Sequence, residues 1–207
     1  MKALFHLADE QEHVSVKQLA QVLEIKMPTV TSMMKRLAEK GLVHYESYKP
    51  LKLTSQGKKE AALIIRKHRL TEMYLVEKMG FGWEQVHEIA EQVEHINSAI
   101  FFERMDELMG HPTLDPHGSP IPDKNGKIAW KSYDKLIDTP AGQSVKLAAL
   151  THASPEFLAF LNSKDLSLGV RLKVVSVEPF DQSRVVSYPH HPAETLSQMV
   201  CERLLVE

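Results

Sequence analysis

The hydrophobic pattern of the first 54 residues predicts three short helices followed by a hairpin. The first helix ends near residue 8, and the polar turn DEQEHVS follows it. The second helix runs through VKQLAQVLEI behind a capping residue, Ser15, and the third begins at Pro28 and ends at Gly41. The alternating run LVHYESYKPLKLT then predicts two strands joined at a Lys-Pro turn. This order of elements is typical of a winged helix-turn-helix.

The remainder of the chain changes from helical to strand-like periodicity. A long helix is predicted from about Ser55 to Met79 and a second from about Trp83 to Met109, with the break GFGW between them. The stretch HPTLDPHGSPIPDKNGK is rich in Pro, Gly and Asp and predicts a linker. One helical segment, SPEFLAFLNSK, then lies among the strand-like runs SVKLAAL, RLKVVSV and SRVVSY. The predicted fold is therefore mainly α with a β-rich C-terminal domain, a small barrel of about 70 residues.

Charge is divided unevenly along the chain. Residues 1–70 carry 13 Lys and Arg against 7 Asp and Glu, a net charge of +6, whereas residues 71–207 carry 12 against 20, a net charge of −8. This division indicates that only the first third meets a polyanion. The single cysteine, Cys201, excludes an internal disulfide framework and fits a reducing cytoplasm. No apolar run is long enough to span a bilayer and no secretory signal is seen, so a cytoplasmic protein without membrane contact is expected.

The third predicted helix has the composition of a DNA-recognition helix. In a helix-turn-helix the second helix enters the major groove, and its N-terminal residues contact base edges. The residues at those positions are Lys26, Pro28, Thr29, Thr31 and Ser32. The residues placed to contact phosphates are Lys35, Arg36, Lys49 and Lys52. Surface lysines occur on any small helical domain, but the order of elements and the charge of +6 together favour binding to double-stranded DNA.

The segment HEIAEQVEHINS gathers residues that bind metals. At about 100° per residue, His87, Glu91, Glu94 and His95 share one arc of a helix. A partly buried group of carboxylates repels itself unless a cation joins it, and carboxylates and neutral imidazoles are usual ligands of divalent metals. The preceding helix repeats the pattern, since His68 and Glu72 lie four residues apart. The alternative is a solvated Glu-rich face with incidental histidines, and the repetition on two adjacent helices favours a metal.

These motifs resemble the diphtheria-toxin-repressor family of metal-dependent repressors, which includes iron and manganese sensors. The runs that carry the resemblance are MPTVTSMMKRLAEKGLV, LTSQGKKEA, RKHRLTE and VHEIAEQVEH. The similarity extends over essentially the whole chain, because the C-terminal third is similar to the family's SH3-like domain. The pair RKHRLTE and VHEIAEQVEH is specific to the family, whereas a helix-turn-helix alone is not.

The resemblance implies a division of the chain into four segments. They are a winged helix-turn-helix DNA-binding domain at 1–62, a helical metal-binding and dimerisation domain at 63–118, a linker at 119–137 and an SH3-like domain at 138–207. We expect a homodimer through the helices of residues 63–109. These helices carry more apolar residues than one antiparallel pair can bury, namely Ile96, Ile100, Phe101 and Met105. A two-fold dimer reads a palindrome.

The resemblance also implies two metal sites in each subunit. The matching ligand sets are His68, Glu72 and His87 for the site called ancillary in the iron sensors, and Glu91, Glu94 and His95 for the primary or regulatory site. Iron-sensing members carry a cysteine where this chain has Glu91, as manganese-sensing members do. Because a carboxylate is a harder ligand than a thiolate, this exchange moves the expected preference toward Mn²⁺, with Fe²⁺ as the other candidate.

Further ligands are implied at both ends of the chain. In three-domain members the SH3-like domain lends ligands to the ancillary site, and the nearest matches are Glu156 and His152. Glu156 can equally stabilise the N-terminus of its own helix. The family's first helix also supplies a primary-site ligand two positions before the place of Met1, and Lys2 stands where manganese sensors have a further acid. Either the natural chain begins upstream of Met1 or the primary site has fewer ligands.

The leading hypothesis is a cytoplasmic, homodimeric repressor that binds DNA when Mn²⁺ or Fe²⁺ is plentiful and controls metal-uptake genes. A di-metal carboxylate enzyme is a competing class, since helical Glu and His clusters also hold di-iron centres. Such bundles use Glu-x-x-His on each of two helices, and here only Glu84 to His87 fits. An enzyme is therefore not expected. A third possibility is a DNA-binding protein with a purely structural metal site.

Overall fold

The computed structural model describes residues 1–10 and 13–207, so part of the predicted turn DEQEHVS lies outside the described residues. The chain forms two compact units, one of residues 1–69 with 121–129 and the other of residues 70–120 with 130–207. The four-segment division stays a prediction. The fold class, mainly α with a β-rich C-terminal domain, is confirmed.

The first unit contains three short helices and a two-stranded hairpin. Its elements, in chain order, are α1 (Lys2–Glu10), α2 (Val16–Val22), α3 (Met27–Glu39), β1 (Val43–His44), β2 (Lys52–Leu53) and the first part of α4 (Ser55–Met79). The strands are antiparallel, with Val43 opposite Leu53. The predicted order of helices and hairpin is confirmed.

Local chemistry explains where these helices begin and end. The Ser15 side chain accepts a hydrogen bond from the Gln18 amide while the Gln18 side chain bonds back to Ser15, which forms a capping box at the start of α2. Pro28 lies in the first turn of α3, where its missing N–H has no helical partner to lose. Gly41 follows α3 with φ +69°, a left-handed conformation that glycine adopts without a Cβ clash. A small core of Leu4, Leu19, Val30, Met34 and Val43 holds the helices and hairpin together.

In the second unit, α4 ends at Met79, as predicted, and two shorter helices follow it. These are α5 (His87–Val93) and α6 (Ala99–Leu108). The prediction of one continuous helix from Trp83 to Met109 is wrong. Glu94 caps α5, the Ile96 amide bonds to the Val93 carbonyl in a tighter turn, and Ser98 is extended. Residues 94–98 therefore separate the two helices.

A six-stranded antiparallel sheet forms the β-rich part of the second unit. The elements are β3 (Asp134–Lys135), β4 (Ser144–Leu150), α7 (Pro155–Ser163), β5 (Arg171–Val177), β6 (Arg184–Tyr188), β7 (His191–Leu196), α8 (Gln198–Cys201) and β8 (Leu204–Val206). The strand order is β3-β8-β4-β5-β6-β7. The strands predicted at 144–150 and 171–177 are confirmed, as is the helical segment that became α7. Strands β7 and β8 were missed, since HPAETL has no apolar alternation and β8 has only three residues.

The sheet and α7 enclose one hydrophobic core. Its most buried members include Leu136, Leu158, Leu161, Leu172 and Leu196. Cys201 belongs to the same core, where burial raises the pKa of its thiol to about 11. Within the described part of the chain, none of the helices combines the length and the apolar character that crossing a bilayer requires.

Candidate metal centre and DNA-binding surface

Glu72 is a buried carboxylate in the last turns of α4, with a relative exposure of 3%. Its Oε1 atom lies 3.1 Å from Nδ1 of His87, the first residue of α5. Its Oε2 atom lies 3.9 Å from Nδ1 of His117. Glu72 and His87, which the sequence prediction placed in one ligand set, are therefore neighbours.

A tight turn after α6 carries two more ligand-type residues. One oxygen of Asp115 accepts hydrogen bonds from the backbone amides of His117 and Ser119, each at 2.9 Å, and the Asp115 carbonyl accepts from the Gly118 amide at 3.1 Å. Asp115 and His117 are each 6% exposed. These bonds fix the turn, and with it the direction of both side chains.

Glu72, Asp115 and His117 form what we call the buried cluster. One donor atom from each residue lies within 4.8 Å of the other two. Asp115 and His117 were missed in the sequence analysis, which noted that their stretch, HPTLDPHGSPIPDKNGK, is rich in Pro, Gly and Asp. The available signal was the pair Asp-x-His inside DPHG, because a turn ending in glycine can direct both side chains to one side.

A second group, the helix-end cluster, consists of Glu91, Glu94 and His95. One donor atom from each residue again lies within 4.8 Å of the others. Glu91 is in the last turn of α5, Glu94 caps the helix and His95 follows it. Glu94 is 4% exposed, while Glu91 and His95 face solvent. The structure thus brings together the three residues predicted for the primary site, although His95 lies beyond the end of α5 and not inside one long helix as predicted.

Three other predicted ligands, His68, His152 and Glu156, are not members of the buried or helix-end cluster. His68 belongs to the first unit, where it is buried and its Nδ1 lies 3.4 Å from the ammonium nitrogen of Lys2. His152 and Glu156 are exposed. The amide of Glu156 itself, followed by the Ser154 hydroxyl, holds the pKa of the Glu156 carboxyl below its usual value. Since Ser154 also caps α7, this geometry favours the helix-stabilising role for Glu156.

The donor chemistry of both clusters fits a divalent cation. Each cluster combines two carboxylates with one imidazole, a set suited to Mn²⁺ and Fe²⁺ and able to accept Zn²⁺. The only thiol of the chain, Cys201, lies in the core of the sheet and belongs to neither cluster. In the buried cluster two carboxylates are held close together away from water, an arrangement that a cation stabilises by offsetting their charge.

The predicted DNA-contacting residues lie on one helix and one hairpin of the first unit. Thr31 is half-buried, and the others are exposed, namely Lys26, Pro28, Thr29, Ser32, Lys35, Arg36, Lys49 and Lys52. Lys49 pairs with Glu46 near the hairpin tip. Tyr48 occupies that tip fully exposed, with φ +65°. The predicted DNA-contacting residues are therefore accessible, with only Thr31 partly covered.

Two known families match successive parts of the chain. Residues 1–51 match the family described as iron dependent repressor, N-terminal DNA binding domain. Residues 54–123 match the family described as iron dependent repressor, metal binding and dimerisation domain. The iron-dependent repressor IdeR of Mycobacterium tuberculosis is 33% identical over 91% of this chain and 83% of that repressor. The diphtheria toxin repressor of Corynebacterium efficiens is 29% identical over 90% of this chain and 84% of that protein.

Two solved structures show the same fold. A manganese-dependent transcriptional repressor in complex with manganese has a TM-score of 0.85 at 31% sequence identity, over 99% of this chain and 96% of that one. ScaR with bound Cd²⁺ has a TM-score of 0.80 at 29% identity, over 100% of this chain and 99% of that one.

The chain combines a DNA-binding helical domain with helices that carry carboxylate and imidazole clusters. This combination is that of a metal-dependent DNA-binding regulator. The chain belongs to the iron-dependent repressor family, which confirms the resemblance seen in its motifs. It is a metal-dependent transcriptional repressor and not an enzyme.

Proposed function

We propose that the protein is a cytoplasmic homodimer that binds a palindromic operator when Mn²⁺ or Fe²⁺ is plentiful and so represses genes for metal uptake. The observation that carries this proposal is the position of the two ligand clusters. Both lie within residues 54–123, the part of the chain that matches a metal-binding and dimerisation domain. A metal bound there adds two positive charges among carboxylates that otherwise repel one another.

Each cluster is proposed to hold one cation in every subunit. Glu91, Glu94 and His95 supply the helix-end site, in agreement with the ligand set expected from the family's motifs. Glu72, Asp115 and His117 supply the buried site. His87 joins the buried site through its contact with Glu72, and His68 remains a candidate ligand. His152 and Glu156 are candidates with less support, because both are exposed and Glu156 interacts with its own helix terminus.

The donor atoms support Mn²⁺ and Fe²⁺ over softer metals. The clusters contain carboxylate oxygens and imidazole nitrogens and no thiolate, and hard oxygens suit Mn²⁺ well. The solved relative in complex with manganese has the same fold. Zn²⁺ binds such ligand sets more tightly in the test tube, so the metal used in the cell depends on which ion is available.

Repression requires that metal and operator binding be coupled. The first unit supplies the DNA surface, through base contacts from Pro28, Thr29 and Ser32 and phosphate contacts from the lysines of α3 and the hairpin. A metal that raises operator affinity must itself bind more tightly to the operator complex by the same factor. Couplings of this kind are typically about 5- to 150-fold.

The test is a titration of operator binding with each metal. Duplexes selected from a random pool in Mn²⁺ serve as operators, and fluorescence anisotropy gives the affinity in Mn²⁺, in anaerobic Fe²⁺ and in a chelator. We expect metal to raise the affinity at least tenfold, and Glu94→Gln to remove most of that gain. Operator binding that is equally tight in the chelator contradicts the proposal and favours a purely structural metal.

A further inference from the structure

Trp83 connects the buried cluster to the core of the sheet. It lies between α4 and α5, is partly buried, and packs against the hydrophobic core that α7 and the strands enclose. Its indole ring stacks on the imidazole of His117, with ring centroids 6.1 Å apart and an angle of 18° between the planes. His117 therefore stacks on a side chain, Trp83, that packs against the β-rich part of the unit.

A hydrogen bond from His117 to Trp83 selects the tautomer of the imidazole. Nε2 of His117 lies 3.0 Å from the Trp83 carbonyl oxygen. Because a carbonyl only accepts hydrogen bonds, Nε2 carries the proton, and in a neutral imidazole Nδ1 then carries the lone pair. Nδ1 faces Glu72 Oε2 at 3.9 Å, a separation too long for a hydrogen bond but suited to two atoms that share a cation.

Asn162, near the end of α7, fixes Trp83 in turn. The indole Nε1–H donates to Asn162 Oδ1 at 2.7 Å, and Asn162 Nδ2 donates to Glu84 Oε2 at 3.0 Å. Both halves of the amide are thus used, one as acceptor and one as donor, which leaves a single orientation of the amide group. Phe157, Leu158 and Leu161 anchor α7 in the core, so the amide is held by a rigid element.

We infer that Asn162 and Glu84 are positioning residues for His117 and that they act on it through Trp83. Through these contacts the β-rich part of the chain sets the metal affinity of the buried cluster. This inference rests on the proposed function. Groups that orient a metal-binding histidine typically change metal affinity by about 10- to 100-fold when they are removed. Asn162 acts one residue further away, so we expect the lower end of this range.

The experiment uses the full chain with Trp130→Phe, which leaves Trp83 as the only tryptophan. The ¹H–¹⁵N spectrum then contains one indole N–H signal, which reports the bond to Asn162. Titration with Cd²⁺, a diamagnetic probe, follows binding next to His117 through this signal, and titration with Mn²⁺ follows binding through quenching of Trp83 fluorescence. Asn162→Ala is expected to shift the indole signal and to weaken Cd²⁺ and Mn²⁺ binding on the order of tenfold.

A rescue pair separates positioning from general damage to the fold. Asn162→Asp alone sets two carboxylates against each other and should weaken metal binding. Combined with Glu84→Gln it should restore the affinity, because the new amide donates to the new carboxylate while the indole N–H keeps its acceptor. Ser163→Ala is the matched control, since the Ser163 hydroxyl donates only to the Phe160 carbonyl within α7. The rescue pair also keeps the test decisive if Asn162→Ala does not fold.

The outcomes distinguish this inference from the proposed function. If Asn162→Ala shifts the indole signal but leaves metal affinity unchanged, or if the rescue pair fails to restore affinity while folding normally, Asn162 does not position His117. If Glu72→Gln leaves the response of Trp83 to metal unchanged, the buried cluster is not a metal site. The proposed metal site and the positioning role of Asn162 are then both wrong.

Discussion

Glu91 contributes an exposed carboxylate to the helix-end cluster. We expect Glu91→Cys to lower Mn²⁺-dependent operator binding far more than Fe²⁺-dependent binding, because a thiolate is a softer ligand than a carboxylate. Anaerobic operator titrations in each metal measure the effect. Glu88→Cys, at an exposed position in the first turn of the same helix, is the control. Equal loss in both metals would show that Glu91 is a ligand without a role in selectivity.

Gly118 follows His117 with φ +87°, and a Cβ atom there would lie 2.4 Å from the Ala148 carbonyl oxygen. We expect Gly118→Ala to lower the free energy of unfolding by about 3 kcal/mol or more, because it adds a collision with backbone to a left-handed strain. Gly142→Ala is the matched control, since Gly142 has φ +89° but open space around it, and should lose only about 1–2 kcal/mol. Denaturant unfolding of both variants gives the comparison. Equal losses would mean that β4 moves to accept the methyl group.

Residues on helices were easier to predict than residues in turns. Glu91 and Glu94 lie three positions apart, and that spacing places side chains on one helical face, so their proximity follows from the sequence. Asp115 and His117 lie in a turn, for which no period exists. Their position beside Glu72 depends on hydrogen bonds inside the turn and on the bond from the Leu150 amide of β4 to the His117 carbonyl. Strand β4, which comes much later in the chain, therefore helps to build the cluster.

The helix α3 and the hairpin are expected to have different roles in DNA binding. Ser32 is exposed near the start of α3, so Ser32→Ala should relax sequence preference by about 1 kcal/mol at one base pair. Lys49 is exposed on the hairpin, so Lys49→Ala should weaken binding to all sequences alike and reduce the salt slope by about 0.9. Affinities for matched and mismatched duplexes at several salt concentrations measure both effects. An unchanged preference after Ser32→Ala would remove that residue from the recognition surface.

One of the two long helices and two of the strands were predicted with correct bounds, and the other long helix was not. Helix α4 and strands β4 and β5 have continuous periodic patterns, and the structure gives them the predicted bounds. The helix expected over 83–109 is divided into α5 and α6. The apolar spacing continues through Asn97 and Ser98, but the α-helix does not. Apolar spacing indicates which face of a segment is buried and does not mark where a helix ends.

Dimerisation is expected to use α6 and the turn before it. Four large apolar side chains are exposed there, namely Ile96, Ile100, Phe101 and Leu108. Met105, which the sequence analysis assigned to the same exposed surface, is instead buried at 7% exposure. We expect Ile100→Glu to convert a dimer at micromolar concentration into a monomer, because it places a charge in an apolar interface.

Sedimentation velocity with metal present measures the oligomeric state. Val175→Glu is the control, since Val175 is also an exposed apolar residue but lies on β5 of the sheet. A wild-type protein that sediments only as a monomer would contradict the proposed dimer, and equal dissociation by both variants would place the interface elsewhere.

The burial of Cys201 makes the protein suited to site-specific labelling. A thiol reacts through its thiolate, so a cysteine enclosed in the core, with its pKa raised to about 11, reacts slowly with maleimides or methanethiosulfonates. A cysteine introduced by Tyr48→Cys at the fully exposed hairpin tip can therefore be modified alone, with the native cysteine left in place. Nitroxide labels at the two tips of a dimer would report their separation by pulsed electron paramagnetic resonance. With Cd²⁺ in place of paramagnetic Mn²⁺, that distance could be followed as metal and then operator are added.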